Sequence, residues 1–505
     1  MTLSLILEHL FIVLAASLLS IILGLPLGII SYIYPKIRSI ILYIVDLMQT
    51  IPSLALLGII MVVLDPGKLT VILGITLYSL LPIVRNTCLG FQEIDPGIKE
   101  AARGMGMTRL YRIFVVEFPL AFPTIFTGIR IAVVNAIGTA VFAAYVGGGG
   151  LGKVITQGIR VSDLKMILSA TGVLMIIAAG LDLLMSWFEK QMRKTGSGSK
   201  KMWIPVAGLV SSFLILLPFM AKSNSGLILY DGDYSETQLI HHMVKILVED
   251  KTDLDVTIKD QMSQVNNYKA LRGDDYTCDL MISYDGTVLT TFLGKDVTDV
   301  PDGSTIYEYV NSQVEELEDL RLLKKLGFDN TYAVAVPQDI ADKYKLQTIS
   351  DLVPVSGELT FGAEQGFFSR EGTMKYYPFS DFYGLSFKEA VPVDMGLKYT
   401  AIENGTFDVT VVYATDGLNR KANLKILEDD RNFFPDYNGA FLVRNDTFER
   451  FAEKSPQLEE ILNLLAGAIS TEQMAEMTYQ VDVMGRSVDD VAQQFLISQN
   501  LISAQ

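Results

Sequence analysis

Two short runs carry the side chains best suited to act on a small molecule: Tyr284-Asp285-Gly286-Thr287 and Tyr413-Ala414-Thr415-Asp416-Gly417. Each follows a strand-like stretch, Asp279–Ser283 and Val409–Tyr413, so each places a tyrosine at a strand's carboxyl end with a carboxylate beside it. In open α/β sheets ligands bind in the crevice outside those ends. A phenol ring offers its negative face to a cation, and several such faces around one pocket hold a quaternary ammonium. Tyr332, at the end of Gly327-Phe328-Asp329-Asn330-Thr331-Tyr332, starts a further strand and supplies a third candidate face. Phe367 and Phe368 follow another strand, and Arg370 beside them has the planar fork that pairs with a ligand carboxylate. The plain alternative for each ring is a core aromatic with its hydroxyl wet.

Other chemistries find no residues. The three histidines are His9, His241 and His242, and the last two read as solvated on a helix flank. No His, Cys and carboxylate cluster has metal-ligand spacing, and there is no nucleophile elbow, so neither a metal nor a catalytic group is expected. The two cysteines, Cys88 and Cys278, fall in different halves and form no disulfide framework. Gly147-Gly148-Gly149-Gly150-Leu151-Gly152-Lys153 fits most of a phosphate-binding loop, but Val154 stands where the magnesium-holding hydroxyl belongs. The run also follows an apolar span rather than a strand. ATP binding there is excluded, and no cofactor is expected.

The elements that must hold these residues belong to two different kinds of protein. Through Ala221 there are 17 Lys and Arg against 10 Asp and Glu; beyond it, 24 against 47. A mildly basic apolar half thus joins an acidic, tyrosine-rich half within 505 residues. The acidic surface argues against nucleic acid as a partner, because phosphate binding needs clustered positive charge. Six stretches have the ~20 apolar residues that cross a bilayer. They run from about 9 to 34, 37 to 64, 69 to 90, 122 to 146, 164 to 188 and 202 to 220. Lys and Arg mark the cytoplasmic connectors: Lys36 and Arg38; then Lys99, Arg103, Arg109 and Arg112; then Lys190, Arg193, Lys194, Lys200 and Lys201. The expected result is a multi-pass protein of the cell membrane with its N-terminus outside and its C-terminal domain extracytoplasmic. Asp46, Gln49, Asn135 and Thr139 intrude on the apolar spans, Pro52 breaks one of them, and Gly128, Ala132 and Ala136 form a small-residue stripe for helix packing.

Between the third and fourth spans lies Glu100-Ala101-Ala102-Arg103-Gly104-Met105-Gly106, a short helix and a glycine-permitted turn, running on to Glu117-Phe118-Pro119. This segment, about 93–119, resembles the EAA loop of ABC-importer permeases, and the resemblance implies that Glu100, Ala101, Ala102 and Gly106 dock a separate cytoplasmic ABC ATPase. Gln49-Thr50-Ile51-Pro52-Ser53 and the Gly-Gly-Leu-Gly after the fourth span resemble the same permeases.

The acidic half alternates strand-like and helical patterns, with strands expected at 227–230, 255–258, 279–283, 333–336, 359–362 and 409–413. Gly-Phe-Asp-Asn-Thr-Tyr, Tyr-Ala-Thr-Asp-Gly, and Leu427-Glu-Asp-Asp430 with Phe433-Phe-Pro435 look like the binding protein of glycine betaine/carnitine/choline importers. The segment Phe361–Glu371 departs from the choline type and is more similar to permease–receptor fusions that take up ergothioneine, a trimethylammonium betaine. The expected fold class is therefore a membrane all-α permease bundle of the binding-protein-dependent importer type, fused to an α/β two-lobed periplasmic-binding-protein-like domain. The expected division is a permease over 1–194, a linker with an extra span over 195–221, and a receptor over 222–505. Lobe 1 is expected at about 222–328 and 432–505, and lobe 2 at about 329–431. By the resemblance Tyr284, Tyr332 and Tyr413 are cage positions with Asp285, Thr415 and Asp416 beside them, two copies of the chain act per transporter, and the solute is a betaine. The alternative, a membrane-anchored solute sensor without transport, predicts a cytoplasmic signalling domain that the sequence does not contain.

Overall fold

The computed structural model describes residues 3–64, 67–160, 163–195 and 226–503, apart from 233, 260, 274–275, 371 and 395–396; between 196 and 225 it describes Gly208, Ser211 and Leu214 alone. The sixth expected span, 202–220, lies outside the described residues. The chain divides into two compact units near residue 223.

The first unit is helical: α1 (Leu3–Ile33), α2 (Pro35–Thr50), α3 (Ser53–Leu64), α4 (Lys68–Gln92), α5 (Pro96–Gly104), α6 (Arg109–Arg112), α7 (Phe118–Thr139), α8 (Gly152–Arg160) and α9 (Leu164–Thr195). By length and hydropathy α1, α4, α9 and the run Arg109–Val146 that contains α7 can each cross a bilayer; α2 and α3 make a fifth span if taken together. That pair bends by 99°. Pro52 is the cause, since proline lacks an N–H and its ring clashes with the carbonyl one turn back. The break is hydrogen-bonded rather than bare: the Tyr78 hydroxyl donates to the Ile51 carbonyl, and Gln49 Nε2 donates to the Tyr78 carbonyl at 2.8 Å.

Small residues let α4 lie against both α1 and α7. A Cβ on Gly128 would come within 2.5 Å of the Pro82 carbonyl oxygen, and one on Gly28 within 2.4 Å of Thr87. Ala132 and Ala136 are buried along the same stripe of α7, while Asn135 is exposed. The glycine loop before α8 turns through positive φ at Gly147, Gly149 and Gly150. It is fixed to α1, because the Glu8 carboxylate accepts from the Gly150 N–H at 2.8 Å and pairs with Lys68 at 2.8 Å. This is structural use of the glycines, with no phosphate cradle.

The second unit is α/β. Its strands are β1 (Leu227–Tyr230), β2 (Val256–Lys259), β3 (Leu280–Tyr284), β4 (Leu320–Leu322), β5 (Tyr332–Pro337), β6 (Thr360–Glu364), β7 (Glu389–Val393), β8 (Val409–Tyr413), β9 (Leu424–Leu427) and β10 (Gly439–Arg444). One lobe holds the parallel pair β1–β2 and the antiparallel set β3-β10-β4; the other holds the five-stranded order β7-β6-β8-β5-β9. Among the strands that the sequence reading passed over, β4 is very short and β7 carries Pro392 on an exposed edge, which blunts the strand signal. β10 is apolar from Gly439 to Val443, ends at Arg444, and is central, paired on both sides.

Leu227, Leu229, Val256 and Ile282 form the first lobe's core with the helix Ser235–Lys251. Val334, Phe361, Val409 and Val411 centre the second. The chain crosses between lobes at 327–331 and returns at 434–438, and the two crossings are knitted together. Asn330 N–H donates to the Tyr437 carbonyl at 3.0 Å, and Asp329 Oδ1 accepts from the N–H groups of Thr331 at 3.1 Å and Tyr437 at 2.7 Å. The Gly-Phe-Asp-Asn-Thr-Tyr motif is thus a hinge. Asp429 does similar work one turn earlier, accepting from the N–H groups of Phe433 at 3.0 Å and Phe434 at 2.8 Å and from the Tyr383 hydroxyl.

Candidate functional site

Both lobes face a cavity of about 260 Å³. The first lobe contributes Tyr234, Ser235 and Glu236 from the start of a helix, Tyr284 from the end of β3, and Tyr437 from the returning crossing. The second contributes Tyr413 from the end of β8, Thr415 and Asp416 from the turn after it, and Lys398 and Tyr399 from the helix Lys398–Glu403. Asn330 lies on the hinge between them. Strand ends point their last side chains into the crevice, which is why an apolar strand delivers a tyrosine here.

The rings are ordered in pairs. Tyr284 stacks on Tyr437 with centroids 5.2 Å apart, and Tyr332 stacks on Tyr413 at 5.1 Å. Burial holds the hydroxyls of Tyr284, Tyr399, Tyr413 and Tyr437 above the usual phenol range, so all four stay neutral. Neutral rings suit cation–π attraction, worth about 2 kcal/mol or more per ring once desolvated.

Charge is placed at two points. Glu236 is buried, and its carboxylate accepts from the Tyr284 hydroxyl and from Asn330 Nδ2 at 3.1 Å. Burial pushes its carboxyl up to about 7, opposed by hydrogen bonds and reinforced by the charge of Asp416. Asp416 is itself satisfied by the Tyr399 hydroxyl at 2.6 Å and the Leu418 N–H at 2.9 Å. Lys398 is buried against Glu364 at 3.1 Å and donates to the Val411 carbonyl at 3.0 Å. Its ammonium lies 5.5 Å from the Tyr413 ring and 5.6 Å from that of Tyr399. The cavity wall therefore offers aromatic faces and carboxylates to a cation and one ammonium to an anion.

Of the residues expected from sequence, Tyr284, Tyr413, Thr415 and Asp416 line the cavity. Tyr332 stands one ring behind, its hydroxyl 3.5 Å from that of Tyr413. Asp285 is turned to the hinge, where burial lifts its carboxyl to about 6 while Asn438 donates to it at 2.9 Å through both backbone and side chain. Phe367 is buried edge-on to Tyr332 at 5.6 Å, and Phe368 packs on Phe361 and Tyr376. Arg370 sits over Tyr377 at 5.6 Å and is not among the lining residues. The basic group of the wall is Lys398. Sequence reasoning passed over Glu236, Asn330, Lys398, Tyr399 and Tyr437; the signal available was a carboxylate at a helix start directly after a strand turn, in Tyr234-Ser235-Glu236. His241 corrects the solvated reading: it is buried and its Nε2 accepts from the Ile282 N–H at 3.1 Å, whereas His242 meets Asp489 at 2.6 Å on the surface.

In the first unit, Glu100, Ala101 and Ala102 lie in α5 and Gly106 turns the chain after it with φ +81°. Asp95 caps α5 by accepting from the Gly97 N–H at 2.6 Å, with Pro96 at the first helical position. Glu100 is exposed and Ala102 buried, so the helix presents a charged face and packs an apolar one.

Comparison with known proteins bears on both units. Residues 229–498 match the family model of the substrate-binding domain of ABC-type glycine betaine transport systems, and residues 18–194 that of the binding-protein-dependent transport system inner membrane component. An ergothioneine transport permease/ergothioneine binding protein of Helicobacter pylori strain G27 is 30% identical over 95% of this chain and 87% of its own length. The carnitine transport binding protein of Listeria monocytogenes serotype 1/2a strain 10403S is 36% identical over 53% of this chain and 84% of its own. A solved glycine betaine/carnitine/choline ABC transporter structure aligns with 55% of this chain and 99% of its own at 29% identity, with a TM-score of 0.49. With a permease match, a receptor match and a relative that spans both, the chain belongs to the ABC importers of the glycine betaine/carnitine/choline family in which the permease is fused to its substrate-binding domain.

Proposed function

We propose that the cavity between the lobes takes a zwitterionic quaternary-ammonium solute, with the trimethylammonium against Tyr284, Tyr413, Tyr437 and Glu236 and the carboxylate toward Lys398. The observation that carries this reading is the wall itself, which pairs stacked neutral tyrosines and a buried carboxylate with a single ammonium across one small cavity. Asp285, Tyr332, Phe367 and Phe368 support the wall from behind; Thr415 and Asp416 complete it. Arg370 reaches the solute only if closure of the lobes brings it in. Ergothioneine leads the candidate solutes, because the relative spanning both units is named for it; glycine betaine and carnitine are the zwitterionic competitors, and choline, which lacks a carboxylate, is the competitor that would leave Lys398 unused.

The rest of the transporter follows from the same reading. The permease occupies 1–194, the linker and an extra span 195–221, and the receptor 222–505 outside the cell; lobe 1 is 222–328 with 432–505 and lobe 2 is 329–431. The family matches to 18–194 and 229–498 support the division into permease and receptor. Two copies form the pathway, and the ATPase engages Glu100, Ala101, Ala102 and Gly106. Titrating the receptor region, 222–505, calorimetrically with ergothioneine, glycine betaine, choline and carnitine tests the site. Binding by at least one trimethylammonium compound, lost in Tyr413→Ala, is the expected result. Binding of an uncharged sugar or amino acid but of none of the four would overturn it.

A further inference from the structure

The permease carries an ion pair that its surroundings do not explain. Arg85 of α4 grips Asp46 of α2 through one guanidinium nitrogen, at 2.7 and 2.9 Å to the two carboxylate oxygens. Unlike the pair Arg112–Glu117, it is open: the side chains are 56% and 41% exposed. Its neighbours on the same face are apolar and exposed too, Tyr43 and Leu47 on α2 and Leu89 on α4. At 1.5 Å per residue Asp46 lies roughly 15 Å along α2 from Lys36, and Arg85 roughly 10 Å along α4 from Gln92. Both depths fall inside a hydrocarbon layer about 30 Å thick.

An ionised side chain there costs about 2.5–3.5 kcal/mol even by insertion scales, so such residues face the bundle interior or a water-filled cavity. Lipid is thus a costly covering for the pair, and water or a polar surface is the favoured one. The pair is neutral in sum yet has separated charges, which complements a solute carrying one cation and one anion. Its Asp46 also lies on α2, which runs into the 99° break at Pro52. We propose that Asp46 and Arg85 line the aqueous translocation pathway and form a low-affinity polar station for the zwitterion on its way through the membrane. The water access is independent of the solute assignment; only the identity of the passenger rests on the function proposed above.

The experiment uses the full chain with its ATPase in open membrane fragments. Asp46→Cys and Arg85→Cys are exposed to a membrane-impermeant charged methanethiosulfonate, scored above the wild-type background of buried Cys88 and Cys278, with Ile176→Cys on α9 as an exposed apolar control. The expected result is modification of both pathway variants at least tenfold faster than of Ile176→Cys, and Arg85→Gln lowering ATP-driven uptake at least tenfold while solute binding to the receptor is unchanged. Labelling of Asp46→Cys and Arg85→Cys no faster than the control, with or without ATP, would overturn the proposal by showing a face sealed against a second copy or lipid. Wild-type uptake by the neutral double variant D46N/R85Q would overturn the station. If wild type moves none of the four trimethylammonium solutes yet both variants label, the solute assignment fails and the pathway stands.

Discussion

Glu236 is the side chain on which solute recognition turns. Its carboxyl is held up at about 7 chiefly by burial, so near neutral pH it exists in both forms. A cationic ligand favours the ionised form, hence affinity rises as pH passes upward through about 7 and falls below it. The ligand-free protein responds in the opposite sense. Between the ordinary carboxylate value and about 7 the folded state binds more protons than the unfolded, so stability declines as pH rises across that window. Glu236→Gln should flatten both trends, with calorimetry at pH 5.5 and 8 reading the first and thermal melts the second. Lys398 makes a different prediction. Lys398→Met strands Glu364 and should cost about 3 kcal/mol of stability, while adding Glu364→Gln recovers most of it and leaves solute affinity low. Melting curves alongside binding separate the structural loss from the recognition loss. Neither residue stood out in the sequence, because a lone Glu after a turn and a lone Lys in Gly396-Leu397-Lys398-Tyr399 look like surface charge until the two lobes are brought together. Tyr284 and Tyr413 were legible because strand ends announce themselves, whereas Tyr399 on a helix and Tyr437 on a crossing were not; Arg370 drew attention for its fork, but it is not among the lining residues.

At the scale of elements, the hinge is where sequence motif and mechanics meet. Asp329 satisfies two N–H groups from different crossings, so Asp329→Ala frees both and should loosen the lobes. Solute affinity falls about tenfold, with a larger radius of gyration by small-angle scattering in the absence of solute. The motif was readable as family resemblance, but its hinge role needed the pairing of residues more than a hundred positions apart. In the membrane unit the small-residue stripe was readable from spacing, and its partner was not: Gly128→Val should separate α7 from α4, since a Cβ already meets the Pro82 carbonyl at 2.5 Å. Loss of the purified, folded transporter in detergent is the expected readout.

For the molecule as a whole, the two units divide the labour between capture and passage, and perturbations should divide likewise. Glu100→Ala on the exposed face of α5 leaves solute binding intact and weakens solute-stimulated ATP hydrolysis, whereas Tyr413→Ala does the reverse at the first step. ATPase assays of the assembled transporter, paired with binding, check this separation. The overall architecture was the most legible layer, because membrane spans and strand–helix alternation are read from runs of ten residues or more. Side-chain placement within the cavity depends on loops only a few residues long.

Downstream of α5 the segment Arg112–Glu117 is tied to the first helix rather than hanging free. Arg112 Nε meets Glu117 Oε1 at 2.6 Å, the Tyr32 hydroxyl donates to Glu117 Oε2 at 2.7 Å, and Lys99 Nζ reaches the Phe91 carbonyl at 2.7 Å. A lever bolted to α1 through Glu117 and to α4 through Lys99 has little slack, so under the proposed docking a push delivered to its tip by the motor subunit would travel into the shafts of α1 and α4. Cutting one bolt, as in Tyr32→Phe, should leave the motor running and the cargo behind.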